Sequence, residues 1–233
     1  MYTQGTLFPA LHHTISRERL KHYRHAPGDS DEDVLARYIW NMKLSEALYP
    51  TMQALEVGLR NNIHTAATAY FGTDMWFEPS RKIIKPQEFD SVHKAISKVR
   101  SNLVAGSVIA ALNFGFWTSL MDRRYEKHFW RPIIIRTVPG MPKYMRTRQN
   151  LLTRFDQIRE LRNRIFHHEH IWDWHFNGRD LVQQHQDIRE AIGWVSPDLR
   201  GVINLYDLFP AIHAQGIAPY RAKLAAYRLT LPQ

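Results

Sequence analysis

The sequence predicts an all-α protein, and three observations lead there. Between Val34 and Ile63 the apolar residues Leu35, Tyr38, Met42, Leu48, Met52, Leu55, Leu59 and Ile63 recur at helical spacing, as one buried stripe. Between Tyr144 and His167 a second stripe of Leu151, Leu152, Phe155, Ile158, Leu161 and Ile165 does the same. Strict apolar–polar alternation, the mark of half-buried strands, is nearly absent, and no internal repeat or low-complexity tract appears.

The elements follow in order. Ser16 is a good N-cap for a short helix over "SRERLKHYR", and "HAPGDSDED" breaks it. Ser30 or Asp31 caps the next helix, which from Val34 is one long helix or two meeting at Pro50. "FGTDMWFEPS" reads as a loop, Gln87–Val104 as a helix, and the uncharged residues 107–121 as another. "RPIIIRTVPGMPK", with three prolines and a glycine, reads as a loop or lid. A helix over Tyr144–His167 precedes three shorter ones, over 180–194, 197–209 and 217–227.

With 233 residues and 44% hydrophobic content, one helical domain over 1–233 is expected. It would carry an N-terminal helix or arm over 1–30 and a helical extension over 180–233. Cysteine is absent, which excludes disulfides and thiolate metal sites and suits a reducing cytosol. The start, "MYTQGTLFPALHHTISRERL", lacks the charged-then-apolar pattern of a signal peptide. Between Arg100 and Asp122 no residue is charged, a length that can span a bilayer. Asn102, Ser107, Asn113, Thr118 and Ser119 interrupt it and mean hydropathy is -0.42, so a buried central helix is expected, with no membrane partner.

Formal net charge is +9, and nearly all of the excess lies between Met121 and Arg164, where twelve Lys/Arg face four acids. An excess so localised favours a polyanion, nucleic acid first, over a merely solvated face. Arg123, Arg124, Lys143, Arg146, Arg148 and Arg164 are the candidate RNA-binding residues.

The basic segment runs into "ELRNRIFHHEHIWDW", residues 160–174. Three chemistries compete for it. His167, His168, His170, Asp173 and His175 are potential metal ligands, but the spacing matches no H-E-x-x-H pattern, and Arg162 and Arg164 repel a cation. A helix C-terminus decorated with cations suits the macrodipole and accounts for one or two histidines. Phosphoryl-ester chemistry accounts for more. Asn163 and His167, four apart, share a helical face, and Arg162 lies about 140° from His167, within reach of its long side chain. A histidine can move the protons of RNA cleavage, and a guanidinium can hold the phosphate and its developing charge.

"RNRIFHHEHIW" resembles the Arg-Asn-x3-His-His signature of Abi-like (abortive infection) proteins in the HEPN ribonuclease superfamily. "ISRERLKHYR", then "LARYIWNMKLSEALYPTMQALEVGLRNNI", resemble that family's N-terminal half, and "YFGTDMWF" and "LNFGFWTSLM" its aromatic–glycine landmarks. Phe166 stands where a small residue is common, and nothing familiar marks the last fifty residues. The resemblance implies a HEPN-like helical bundle with extra helices, dimeric through its active-site helices. It implies a metal-independent endoribonuclease, needing no cofactor, that acts on RNA as a toxin or phage-defence effector in a prokaryotic cytoplasm. A protein or RNA antitoxin is a possible partner. Arg162 and His167 match the catalytic pair and Asn163 the polar partner; His168 is the rival histidine, with Glu169 beside it as a supporting residue. Glu56, Arg60 and Asn61 are supporting residues on the first long helix, where a Glu56–Arg60 ion pair four apart is expected. The alternative is a catalytically silent HEPN-type module that binds RNA or a partner protein.

Overall fold

The computed structural model describes residues 7–99 and 103–232, and among these every regular element is helical. The single bridge, Phe176–Arg179, closes a tight turn in which Asn177 and Gly178 both take positive φ, as the Asn-Gly pair favours.

Helices α1 (Leu7–Ile15) and α2 (Arg17–Lys21) open the described chain, and Ser16 caps α2 by accepting from Arg19 N at 3.2 Å. Ser30, not Asp31, caps α3 (Asp31–Phe71): Ser30 Oγ accepts from Asp33 N and Asp33 Oδ2 accepts from Ser30 N, both at 3.1 Å, a reciprocal capping box. α3 runs unbroken through Pro50, so the apolar stripe belongs to one 41-residue helix. Met42 departs from that stripe and is 53% exposed. The loop over "FGTDMWFEPS" is present, and Trp76 and Phe77 within it are fully buried. α4 spans Pro86–Val99; the expected extension to Val104 crosses 100–102, outside the described residues, and Leu103 and Val104 are not helical.

The expected helix over 107–121 is instead two, α5 (Ala105–Ala111) and α6 (Phe114–Ser119). Asn113 makes the break: its side chain accepts from Phe116 N at 2.9 Å, restarting the helix as an N-cap. Among the described residues no helix is long and apolar enough to cross a membrane. The expected loop "RPIIIRTVPGMPK" is helical in its first half. A π-helical run over Glu126–Ile134, containing Pro132, leads into the single turn α7 (Ile135–Thr137), and irregular chain begins only at Val138. α8 (Arg148–Phe166) starts on Thr147, whose hydroxyl accepts from Asn150 N at 3.2 Å. Asp180 and Gln183 form a second capping box at the start of α9 (Leu181–Val195). The helix expected over 197–209 ends at Asn204 as α10 (Pro197–Asn204), and a helix not expected from sequence, α11 (Phe209–Gln215), follows it, with Asp207 Oδ1 accepting from Phe209 N at 3.2 Å at its start. α12 (Ala218–Leu229) closes it.

Packing divides the chain into two compact units. The first takes the described residues through Pro50, Leu161–His185 and those from Tyr206 on; the second takes Thr51–Glu160 and Gln186–Leu205. In the first, Leu20, Tyr23 and Val34 form a core flanked by Ile15, Tyr38 and Trp172. Burying such side chains contributes about 1.5–3 kcal/mol each. Arg37, almost enclosed, pairs through Nη1 with Asp29 at 2.9 Å and donates to the Tyr23 carbonyl at 2.5 Å, so its buried charge has a counter-charge. Elsewhere in this unit, Trp40 Nε1 donates to Ile212 O at 2.9 Å, and buried His185 meets Asp207 at 2.9 Å.

The core of the second unit is aromatic. Trp76 packs edge-on against Phe77, Trp117 and Phe129 with centroids 5.5–6.3 Å apart. Asn62 Nδ2 donates to the Thr137 and Val195 carbonyls at 3.0 Å each, a brace on α3. Gly140 is required by contact: a Cβ there would lie 2.1 Å from the Gly193 carbonyl. Arg154 joins α8 to α9, pairing with Asp187 at 3.2 Å and Glu190 at 2.8 Å.

Candidate functional site

The end of α8 is the centre of the candidate site, and its stop signal explains the geometry. Glu169 N donates to Arg164 O at 2.9 Å and His168 N to Ile165 O at 3.0 Å, the two crossed bonds of a Schellman motif. His168 therefore occupies the left-handed position, with φ 57°, where glycine is usual. The apolar contact that normally accompanies this motif is replaced by an ion pair between the same positions, Arg164 to Glu169 at 3.0 Å. Arg19 Nη2 donates to the His168 carbonyl, tying α2 to the turn. His168 is thus fixed through its backbone, while His167, one residue earlier, closes the last α-helical bond to Asn163 O at 2.9 Å and leaves its ring exposed.

Around this end the first unit forms an open groove of about 500 Å³, lined by Glu18, Arg19, His22, Tyr23, Arg164 and the run His167–His170. His22 and His170 stack with centroids 4.8 Å apart and rings 10° from parallel. Burial holds the His170 pKa below its ordinary value, with the Arg164 guanidinium acting in the same direction and the Asp173 carboxylate opposing. Burial pushes the Tyr23 phenol up to about 12, so it stays protonated in the groove wall. The histidine segment is held from below by Asn41, 5% exposed, whose Oδ1 accepts from Ile171 N at 2.6 Å and Trp172 N at 3.2 Å. Trp172 lies under the Arg37 guanidinium, 5.1 Å from its ring centroid, and donates through Nε1 to His22 O at 3.2 Å.

Of the site residues expected from sequence, Arg164, His167, His168 and Glu169 line this groove together, whereas Arg162 and Asn163 are not among its lining residues. Arg162 and Asn163 are half-buried on the last turns of α8, and the Arg162 guanidinium sits 4.1 Å above the Phe166 ring. That contact gives the bulky Phe166 a physical role, since the aromatic face orients the guanidinium. Glu56, Arg60 and Asn61 belong to the second unit. Glu56 and Arg60 are half-buried on α3, while Asn61 points to solvent and its neighbour Asn62 makes the structural bonds.

The basic candidates divide sharply. The Arg164 guanidinium sits over Trp174, 3.7 Å from its ring centroid, and donates to His170 O at 3.0 Å, besides its pair with Glu169. Arg146 clamps the Pro139 and Met141 carbonyls at 2.9 and 2.5 Å. Arg148 donates to Met121 O at 3.3 Å and lies 3.7 Å from Glu126. These three guanidiniums are committed within the chain. Arg124 pairs with buried Glu88 at 2.5 Å, and Arg123 and Lys143 are exposed.

Among the described residues, no group of three or more His, Asp or Glu side chains is placed to hold a metal ion. Arg19, His22 and Tyr23 are groove residues that the sequence reading did not single out; the signal was present in "RERLKHY", a short helix carrying Arg, His and Tyr together. No protein-family model, no characterised protein and no solved structure matches the chain.

Proposed function

We propose that the protein is a metal-independent endoribonuclease, working as a homodimeric toxin or phage-defence effector in a prokaryotic cytoplasm. The observation that carries this reading is the α8 groove, where imidazoles of His22, His167, His168 and His170 gather with the Arg19 guanidinium around one open cleft, whose wall Arg164 braces through Glu169 and the His170 carbonyl. Imidazoles supply proton transfer near neutral pH, and guanidiniums attract the phosphodiester. The resemblance of "RNRIFHHEHIW" to the Abi-like signature supports the same chemistry and supplies the biological setting.

In the proposed reaction a neutral imidazole takes the proton of the 2′-hydroxyl as the 2′-oxygen attacks phosphorus. The P–O2′ bond forms, the P–O5′ bond breaks, and a second, protonated imidazole donates its proton to the leaving 5′-oxygen. Arg162 stabilises the charge on the phosphoryl oxygens in the pentacoordinate transition state. His167 is the proposed proton-transfer residue, because it lies four residues after Asn163 on the same helical face, while His168, whose ring is also exposed, sits in the left-handed turn that stops the helix. A two-fold dimer through α8 brings two such ends together, one for each proton transfer.

The test is cleavage of a ribo-oligonucleotide in EDTA by the wild-type chain and by His167→Ala. The proposal expects cleavage by the first and a loss of at least about 10²-fold in the second. Binding without cleavage by the wild-type chain would point to a silent RNA-binding module. Loss of cleavage in EDTA with recovery on adding manganese or zinc would make it a metal enzyme.

A further inference from the structure

The second unit holds a charged feature of its own. Lys85, Arg123, Arg124, Lys127, His128 and Arg131 line a cleft of about 680 Å³, and Glu126 is the only acid among its described lining residues. Glu126 itself lies 3.7 Å from Arg148, which offsets its charge. No ion pair engages Lys85, Arg123, Lys127 or Arg131 among the described residues.

Two observations make this a built surface rather than scattered charge. The 3-10 turn Arg123–Tyr125 leads directly into the π-helical run, and the inner side of that run is locked. Tyr125, Phe129 and Ile133 are at most 1% exposed, and Phe129 packs against Phe71 and Trp76 with centroids 5.5 and 5.6 Å away. The outward residues Arg123, Lys127, His128 and Arg131 are therefore held at fixed spacing along a rigid support. The second observation is Glu88, 4% exposed, which accepts from Arg124 Nη2 and from the Tyr125 hydroxyl at 2.5 Å each. Tyr125 Oη in turn accepts from Lys85 N at 2.8 Å. One buried carboxylate thus orients Arg124 and, through Tyr125, fixes the backbone that carries Lys85.

We propose that this cleft binds the phosphate backbone of a nucleic-acid strand without reading its bases. Guanidinium forks and ammonium groups match phosphate oxygens, and such contacts fix position but carry no sequence information. Apart from the small His128 imidazole, the described lining offers no aromatic face on which a base could stack. The proposal deepens the ribonuclease reading by naming where the strand is held, and it rests on that reading for the choice of RNA as the natural ligand. It also moves the binding surface away from Arg146 and Arg148, whose guanidiniums hold the chain's own carbonyls.

The experiment is fluorescence anisotropy with 2′-O-methyl RNA and DNA strands of one sequence, neither of which can be cut by 2′-oxygen attack, over a range of salt. Wild-type protein is expected to bind both within about threefold, because backbone contacts dominate. Each phosphate neutralised on a single strand contributes about 0.7 to the slope of log K against log salt. Lys127→Gln with Arg131→Gln should therefore lower the slope by about 1.4 and weaken low-salt binding by roughly tenfold. Lys94→Gln with Lys98→Gln removes the same charge from exposed positions on α4 of the same unit and should leave the slope in place. Equal losses in the two double variants, or no binding by the wild-type chain, would overturn the cleft. Salt-dependent binding that follows Lys127 and Arg131, with ordinary RNA left uncut, would uphold the cleft and remove only the ribonuclease reading.

Discussion

Replacing His168 with glycine is expected to keep the fold as stable as before or slightly more so, and to leave the chemistry intact. His168 sits at φ 57°, where a side-chain-bearing residue costs about 1–2 kcal/mol relative to a right-handed conformation. Glycine removes that cost but gains about 0.5–1 kcal/mol of freedom in the unfolded chain. The imidazole is exposed, so little apolar burial is lost, and the Arg19 bond goes to a backbone carbonyl that glycine keeps. The net change is a gain of about 0–1.5 kcal/mol, or up to about 6 °C in Tm for a chain of this size. His168→Val goes the other way, since a β-branched residue in the left-handed region is a strained outlier costing about 1–3 kcal/mol. Thermal melts of the Gly, Ala and Val variants, read beside initial cleavage rates, separate the roles. A valine variant that melts at or above the glycine variant refutes the helix-stop role. A glycine variant that is fully folded but inactive assigns the chemistry to the His168 ring and removes it from His167.

Three further predictions follow from the same structure. Arg162→Ala should lower cleavage by about 10²–10³-fold, and Arg162→Lys should recover little of it, because a point charge cannot replace a planar fork; full recovery by lysine would show that only net charge matters. Asn41→Leu leaves the Ile171 and Trp172 N–H groups without their acceptor and should cost about 2–4 kcal/mol in urea denaturation; a loss under about 0.5 kcal/mol would mean the histidine segment does not depend on it. Burial holds His64 and His170 below their ordinary pKa of 6.5, so as pH falls below that value the unfolded chain takes up protons that the folded chain refuses. Stability should therefore be level above about pH 7.5 and decline as pH drops through 6.5 toward the lower folded values, the decline shrinking in His64→Gln; a flat urea midpoint between about pH 7.5 and 5 would contradict it.

The parts of the fold legible in the sequence are those fixed by local patterns. The stripe from Leu35 to Ile63 gave the helical span of α3 but left open a break at Pro50, where the helix in fact continues, and Ser16 and Ser30 mark helix starts by chemistry that acts within three residues. The π-helical run was hidden, since its wider turn has no familiar apolar period and Pro132 within it reads as a breaker. Asn113 was legible as polar but not as a cap, and so the uncharged stretch looked like one helix. At the site, the histidine cluster stands out locally, whereas Arg19 lies 149 residues from the carbonyl it holds, a separation no motif spans. Charge was legible but its commitments were not: sequence cannot tell Arg146, which grips two carbonyls, from Lys127, which faces solvent.

The central claim is that the neighbouring 2′-oxygen is the nucleophile and His167 moves its proton. Mass spectrometry of the products from one ribo-oligonucleotide, digested in EDTA, tests it most directly, with a twin substrate carrying a single 2′-deoxyribose at the cut site. The account predicts 2′,3′-cyclic phosphate and 5′-hydroxyl ends from the ordinary strand, no cut in the substituted one, and the same products from His167→Ala at a rate at least about 10²-fold lower. Ends carrying 5′-phosphate and 3′-hydroxyl, or cleavage of the deoxy-substituted strand at the same bond, would contradict it.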